Sequence, residues 1–147
     1  MFKHVLLPTD GSAVARKALK AGIRLARELG ARVTAYYAID ATPPYSYSEG
    51  YLLGNTLRKE FDKRAHEQGE KYLAEVVKVA KAAGVPCKTL ITRPATAHQG
   101  IVAAARSQRC DVIFMASHGR GDFATLLLGS VTQKVLAHTK LPVLVYR

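Results

Sequence analysis

The sequence contains few cysteines, few acidic side chains and no long apolar runs, and each shortage excludes a class of protein. With only Cys87 and Cys110 among 147 residues, a disulfide scaffold is excluded and a reducing, cytoplasmic location is expected. Since neither cysteine has a Cys/His cluster beside it, the sequence predicts no zinc site, and no residue is assigned as a metal ligand. The apolar runs are too short for a transmembrane helix, and the N-terminus MFKHVLLPTDGS lacks the features of a signal peptide.

The shortage of acidic residues leaves a strong positive charge. The chain has 22 Lys+Arg against 11 Asp+Glu, a formal net charge of +11. Such an excess is typical of proteins that bind polyanions, but it also occurs as a plainly solvated basic surface. The basic residues are spread along the chain, without a run of five or six and without the aromatic-rich basic motif of an RNA-binding domain. This distribution disfavours a nucleic-acid partner, and no membrane partner is predicted.

The chain alternates apolar runs with amphipathic stretches, which predicts a β-α-β-α-β-α-β-α-β order in one domain over residues 1–147. The predicted strands are Val5–Pro8, Val33–Ile39, Pro86–Thr92, Asp111–Ala116 and Pro142–Tyr146. The predicted helices are Ala13–Leu29, Thr56–Ala83, Ala95–Ser107 and Ser130–Thr139. Ser12 is a good N-cap and Gly30 a good C′ residue for the first helix. This alternation indicates an α/β fold with a parallel sheet and helices on both faces.

Parallel sheets of this kind place ligands at the carboxyl ends of their strands, which selects two segments. The first is residues 8–12, PTDGS, where Asp10 could accept hydrogen bonds from an adenine amino group or from ribose hydroxyls. The alternative is that Thr9, Asp10 and Ser12 only cap the first helix. The second is residues 116–122, ASHGRGD, with Gly129 and Ser130 opening the last helix.

The second segment has residue types that suit an anion. Its glycines allow the backbone to approach phosphate oxygens, and the Ser130 hydroxyl and neighbouring N–H groups could bind them. Neither GxxxxGK[ST] nor a GxGxxG after the first strand is present, which disfavours a P-loop or a dinucleotide-binding site.

The spacing AxxGx9GS from Ala116 to Ser130 resembles the GxxGx9G[ST] nucleotide motif of the universal stress protein family. The opening VLLPTDGSAVARKAL and the closing SHGRGDFATLLLGSVTQKVLAHTKLPVLVYR are also similar to that family, over essentially the whole chain. The resemblance implies a three-layer α/β sandwich with a five-stranded parallel sheet of order 3-2-1-4-5, as in the adenine nucleotide alpha hydrolase-like fold. It also implies homodimers that pair through the last strand (Val143, Leu144, Val145), an edge with unpaired backbone groups.

The same resemblance implies a set of adenine-nucleotide contacts, and ATP with Mg²⁺ is the expected ligand. The residues bordering the adenine and ribose would be Pro8, Thr9, Asp10 and, through its backbone, Ala38. The residues lining the ribose and phosphates would be Met115, Ala116, Gly119 and Arg120, with Gly129, Ser130 and Val131 holding the phosphates from the last helix. No catalytic residue is assigned, because the sequence offers no clear base to activate water. The predicted function is therefore ligand-dependent regulation in a stress response, with a slow ATPase, or a stress protein that acts through protein partners without nucleotide, as alternatives.

Two positions depart from the family pattern. Ala116 replaces the first motif glycine, and its Cβ would cost about 1 kcal/mol or more if the site needs a positive φ or a close phosphate approach. If the site needs only a small residue, alanine is tolerated. Arg93 stands where family members often have glycine, which suggests a different local turn with Arg93 facing the phosphates.

The remaining candidates have structural interpretations. His118 is expected on a surface loop, His66 in solvent, and His98 and His138 in helices without ligand spacing between them. Cys87 and Cys110 are expected to flank strands as small apolar residues. The loop 40–55 could form a lid through Tyr45, Tyr47 and Tyr51 or pack on itself, and Asp122 could contact a metal.

Overall fold

A computed structural model of the chain describes residues 1–40, 54–119 and 128–147. Within these ranges strands and helices alternate as predicted, and no boundary differs from the expected one by more than two residues. The elements are β1 (His4–Pro8), α1 (Ala13–Leu29), β2 (Arg32–Ala38), α2 (Gly54–Ala82), β3 (Cys87–Thr92), α3 (Ala97–Ser107), β4 (Val112–Ala116), α4 (Ser130–His138) and β5 (Val143–Tyr146).

The five strands form one parallel sheet in the order β3-β2-β1-β4-β5, which confirms the predicted topology. The central strand β1 pairs with β2 on one side and with β4 on the other. The strand order therefore reverses between β1 and β4, where a crevice opens at the carboxyl ends of such sheets. Within the described ranges, β3 and β5 are the two edges.

Each face of the sheet is covered by a helix pair. Val5 and Leu7 of β1 pack in the cluster formed with α1 and α2, whereas Leu6 packs in the cluster formed with α3 and α4. Successive side chains of a strand point to opposite faces of the sheet. The fully buried apolar run Val5-Leu6-Leu7 therefore contributes side chains to both clusters. This arrangement confirms the expected helices on both faces.

The helix ends follow local capping chemistry. The Ser12 hydroxyl accepts a hydrogen bond from the Ala15 N–H at 3.1 Å, and Gly30 ends α1 in the left-handed conformation with φ 61°, as predicted. Helix α3 begins two residues later than expected because Thr96 is its N-cap and accepts from the Gln99 N–H at 3.4 Å. Pro94 and Ala95, at the expected start of this helix, therefore precede its N-cap.

Within the described ranges, the helices include none with the length and apolar character required to span a membrane.

Candidate functional site

The turn after β1 is held by its own side chains. The Thr9 N–H donates to the Tyr36 carbonyl at 2.9 Å, which ties the start of the turn to β2. The Thr9 hydroxyl accepts from the Gly11 N–H at 3.1 Å, and Asp10 Oδ1 accepts from the Ser12 N–H at 2.9 Å. Of the three residues, Ser12 caps α1, whereas Thr9 and Asp10 stabilise the turn before it, and Asp10 does so through only one carboxylate oxygen. Among the described residues, none donates a hydrogen bond to Asp10 Oδ2.

The segment after β4 is fastened to the start of α4. The Ser117 N–H donates to the Tyr146 carbonyl at 2.8 Å, and the Ser117 carbonyl accepts from the Gly129 N–H at 2.7 Å. The Thr132 hydroxyl donates to the Ala116 carbonyl at 3.1 Å and is buried. These bonds fix the first turn of α4 against the carboxyl end of β4.

Asp10 and Gly119 bring the two segments together. A Cβ placed on Gly119 would lie 2.9 Å from Asp10 Oδ2, closer than real Cβ contacts come. The chain after β4 therefore passes close to the carboxylate that follows β1, and a side chain at position 119 would have to displace that carboxylate. Asp10 is half-buried, so it is partly accessible to solvent.

Among the described residues, no side chain caps the start of α4. Its N-cap is Gly129, which supplies no side-chain acceptor, and its first turn contains no acidic residue. The first N–H groups of a helix have no partner within the helix, and they concentrate positive potential. Gly129 is buried and Ser130 is exposed, so the described residues leave the Ser130 end of α4 uncovered.

The structure places ten of the eleven predicted site residues on the side of the sheet where the carboxyl ends of the strands lie. Pro8 ends β1 and Ala38 ends β2, and Met115 and Ala116 end β4. The Met115 side chain packs in the core cluster under α3 and α4, so only its backbone can face the crevice. The others follow β1 or β4 or begin α4: Thr9, Asp10, Gly119, Gly129, Ser130 and Val131. Arg120, Asp122, Tyr45, Tyr47 and Tyr51 lie outside the described residues.

Ala116 causes no backbone strain. Among the described residues, Arg109 is the only non-glycine with a left-handed φ, at 54°, and Ala116 lies in the extended strand β4. Its methyl group packs in the core cluster under α1. The position therefore needs no positive φ, which removes the backbone part of the expected penalty, while a close phosphate approach at Ala116 stays a prediction.

The expected orientation of Arg93 is wrong. Its guanidinium Nη2 lies 2.9 Å from Asp62 Oδ1 of α2, in a pair whose side chains are 36% and 40% exposed. Asp62 lies 31 residues away from Arg93 in sequence, so no local sequence pattern indicates that the two side chains pair. Arg93 therefore links α2 to the end of β3, and Asp62 engages the charge that was expected to face phosphates.

Two histidine contacts were also missed. The rings of His98 and His138 lie with their centroids 5.1 Å apart, although 40 positions separate them in sequence. His4 is buried, and its Nε2 bonds the Thr34 hydroxyl at 2.8 Å, while its buried Nδ1 makes no hydrogen bond with any described residue. Burial, reinforced by the charge of Arg32, lowers the pKa of His4. His66 is exposed, as expected, and lies 3.5 Å from Glu70.

The cysteines are in the predicted apolar surroundings. Cys110 is buried and Cys87 is half-buried, and both are reduced. Burial, with the nearby charge of Asp111, raises the pKa of Cys110 to about 11, so the thiol stays protonated at neutral pH. No group of three or more His, Cys, Asp or Glu side chains in the described ranges is placed to hold a metal ion.

Comparison with known proteins assigns the chain to a family. A protein-family model described as "Universal stress protein family" matches residues 1–147. The chain belongs to the universal stress protein family. A universal stress protein of Thermus aquaticus is 34% identical over 147 residues, covering 100% of both chains. The solved structure of MJ0577, a universal stress protein of Methanocaldococcus jannaschii, superposes with a TM-score of 0.80 at 28% identity, covering 99% of this chain and 95% of that one.

More distant universal stress proteins with the same fold have been solved with nucleotides. One, in complex with cAMP, superposes with a TM-score of 0.71 at 22% identity, covering 99% of this chain and 97% of that one. Another, from Archaeoglobus fulgidus in complex with dAMP, has a TM-score of 0.66 at 15% identity, with 100% and 98% coverage. Proteins that are only 22% and 15% identical to this chain therefore share its fold.

Proposed function

We propose that this universal stress protein binds an adenine nucleotide, ATP, in the crevice between β1 and β4 and acts as a regulatory protein in a stress response. In this proposal residues 1–147 form one universal stress protein domain located in the cytoplasm. The observation that carries the proposal is the approach of Gly119 to Asp10 Oδ2. It brings an acceptor and a glycine loop from two strands to one point, beside the open start of α4.

The nucleoside half of the ligand would lie against the turn after β1. Asp10 Oδ2 has no donor among the described residues, and a ribose hydroxyl or the adenine amino group would supply one. Pro8, Thr9 and Ala38 end or follow β1 and β2, where a flat base can rest on backbone. The cAMP and dAMP bound by the two distant relatives are both adenine nucleotides, which supports this choice of base.

The phosphates would lie at the start of α4. The uncapped N–H groups after Gly129 and the Ser130 hydroxyl are donors suited to phosphate oxygens. Gly119 lets the loop after β4 come close to the same oxygens, and Arg120 follows it in sequence. Mg²⁺ would enter on the phosphates of ATP, which is how this ion is usually held in nucleotide sites.

The last strand would provide a homodimer contact. The edge strand β5 includes Val143, Leu144 and Val145, and Leu144 is 38% exposed. Pairing with a second copy of β5 would satisfy the free backbone groups of this edge in a two-fold symmetric contact.

The test is nucleotide identification followed by calorimetry. Mass spectrometry of small molecules released from freshly purified, denatured protein should find an adenine nucleotide, and ATP with Mg²⁺ should give a binding isotherm. Asp10→Asn keeps an acceptor for the Ser12 N–H but replaces Oδ2 by a donor. Loss of one charge-assisted hydrogen bond corresponds to about 10- to 100-fold weaker binding.

Two further variants separate the alternatives. Ser130→Ala should weaken ATP binding, whereas Ser107→Ala, at the end of α3 next to the amino ends of the strands, should leave it unchanged. A purified protein without nucleotide and without a response to ATP and Mg²⁺ would refute the proposal and favour action through protein partners. Phosphate release that is lost in Ser130→Ala would identify a slow ATPase.

A further inference from the structure

His98 and His138 form a pair of imidazoles on two different helices. His98 is the second residue of α3 and His138 is the last residue of α4. Their ring centroids are 5.1 Å apart and the ring planes are tilted by 47°. The pair borders a hollow of about 240 Å³ that is also lined by Gln99, Val102, Ala103 and Arg106. This hollow is separate from the crevice between β1 and β4.

The hydrogen bonds of the pair occupy Nδ1 of both rings. His138 Nδ1 lies 2.7 Å from the Lys134 carbonyl, and a carbonyl only accepts, so Nδ1 carries the proton and Nε2 keeps its lone pair. His98 Nδ1 lies 3.0 Å from the Thr96 hydroxyl. No described residue bonds either Nε2. Histidines that ligate metals have this arrangement, with one nitrogen on the metal and the other held by a carbonyl or a similar group.

The spacing of the rings fits a shared metal ion. A metal about 2.0–2.1 Å from each Nε2 lies about 3.2 Å from each ring centroid, so a tetrahedral angle separates the centroids by about 5.2 Å. The observed separation is 5.1 Å. Gln99 lines the same hollow, and in the proposed site its amide oxygen or water would take the remaining positions of the tetrahedron.

The cations beside the pair oppose a metal ion. Lys134, whose carbonyl holds the His138 ring, and Arg106, which lines the hollow, both carry a positive charge that repels the ion. These cations make the site weaker than a buried one and provide a way to test the sign of the ligand's charge.

We propose that His98 and His138 together bind a divalent transition-metal ion, with Zn²⁺ as the representative, and so bridge α3 and α4. Imidazole ligands select zinc, copper and nickel over Mg²⁺, which prefers oxygen ligands. The site does not depend on the nucleotide proposed for the crevice. It was not foreseen from the sequence, because only the packing of α3 on α4 unites two histidines 40 positions apart.

The experiment is a calorimetric titration of the full chain with Zn²⁺ in the presence of excess Mg²⁺. We expect one ion per chain at this site, and we expect His98→Ala and His138→Ala each to weaken binding at least tenfold. His66→Ala is the matched control, because His66 is an exposed histidine paired with Glu70 on α2, and it should leave binding unchanged. Circular dichroism without metal verifies that each variant is folded.

A second variant tests the charge of the ligand. Lys134→Ala retains the backbone carbonyl that holds His138 but removes a cation, so Zn²⁺ should bind about 1.4- to 5-fold more tightly, the range of exposed charge interactions. Weaker binding in Lys134→Ala would overturn the proposal, as would wild-type affinity in the His98→Ala and His138→Ala variants, or failure of the wild-type protein to bind Zn²⁺.

Discussion

Replacing Gly11 by alanine should destabilise the protein more than the same change at Gly30. Both residues have a left-handed backbone, with φ 77° at Gly11 and φ 61° at Gly30. Their surroundings differ, because a Cβ on Gly11 would overlap the ring of Tyr72 on α2, whereas a Cβ on Gly30 meets nothing within 4 Å. Comparing the two alanine substitutions therefore separates the cost of backbone strain from the cost of steric overlap.

The magnitudes follow from these two contributions. A left-handed conformation costs an L-residue about 1–2 kcal/mol, and this is the loss expected for Gly30→Ala. Forcing a methyl group into a packed site adds about 1–3 kcal/mol, so Gly11→Ala should lose about 2–5 kcal/mol of unfolding free energy. The effect of alanine on the entropy of the unfolded chain is the same at both positions and cancels in the comparison.

Urea unfolding followed by circular dichroism measures both variants. A double-mutant cycle with Tyr72→Ala then locates the overlap, since Gly11→Ala in that background should cost no more than Gly30→Ala. Equal losses for Gly11→Ala and Gly30→Ala in the wild-type background would refute the reasoning. So would a cycle in which Tyr72→Ala leaves the cost of Gly11→Ala unchanged.

Two titratable groups give further predictions. Because the pKa of folded His4 is lowered, the unfolded chain takes up this proton first, near its ordinary pKa of about 6.5. The contribution of His4 to folding stability is therefore complete above that pH and is lost as the pH falls below it. When the urea midpoint of unfolding is measured against pH, the decrease at low pH should be smaller in His4→Gln than in the wild type. Cys110, with its pKa raised to about 11 and only 6% exposed, should react with a thiol reagent at pH 8 only after unfolding. Rapid modification of Cys110 in the folded protein, or an unchanged pH profile in His4→Gln, would contradict these expectations.

Local chemistry made most of the fold predictable. Ser12 and Gly30 bound α1 because capping and a left-handed residue act within a few positions of the chain. The continuous apolar run Val112–Ala116 predicted a strand buried on both faces, and β4 is such a strand. The strand order came from the family resemblance, since the alternation of elements does not by itself distinguish one doubly wound order from another.

The segments of the candidate site could be predicted from the sequence, but the contacts between them could not. The motif spacing pointed to the segments that follow β1 and β4, but the close approach of Gly119 to Asp10 depends on how these two segments meet in space. The ion pair of Arg93 with Asp62 and the ring contact of His98 with His138 have the same origin. Each joins residues from different elements, and no periodicity or local motif encodes such a pair.

The central position of β1 determines when the crevice can be assembled during synthesis. Its pairing with β4 begins where the Asp111 carboxylate accepts the His4 N–H, across a separation of 107 residues. Such distant partners are costly to bring together and slow the folding of a chain. The turn that carries Asp10 is synthesised well before Gly119 and the start of α4, which lie far downstream in the sequence. A nascent chain that ends before α4 therefore has the half of the crevice that carries Asp10 and lacks the half formed by the start of α4.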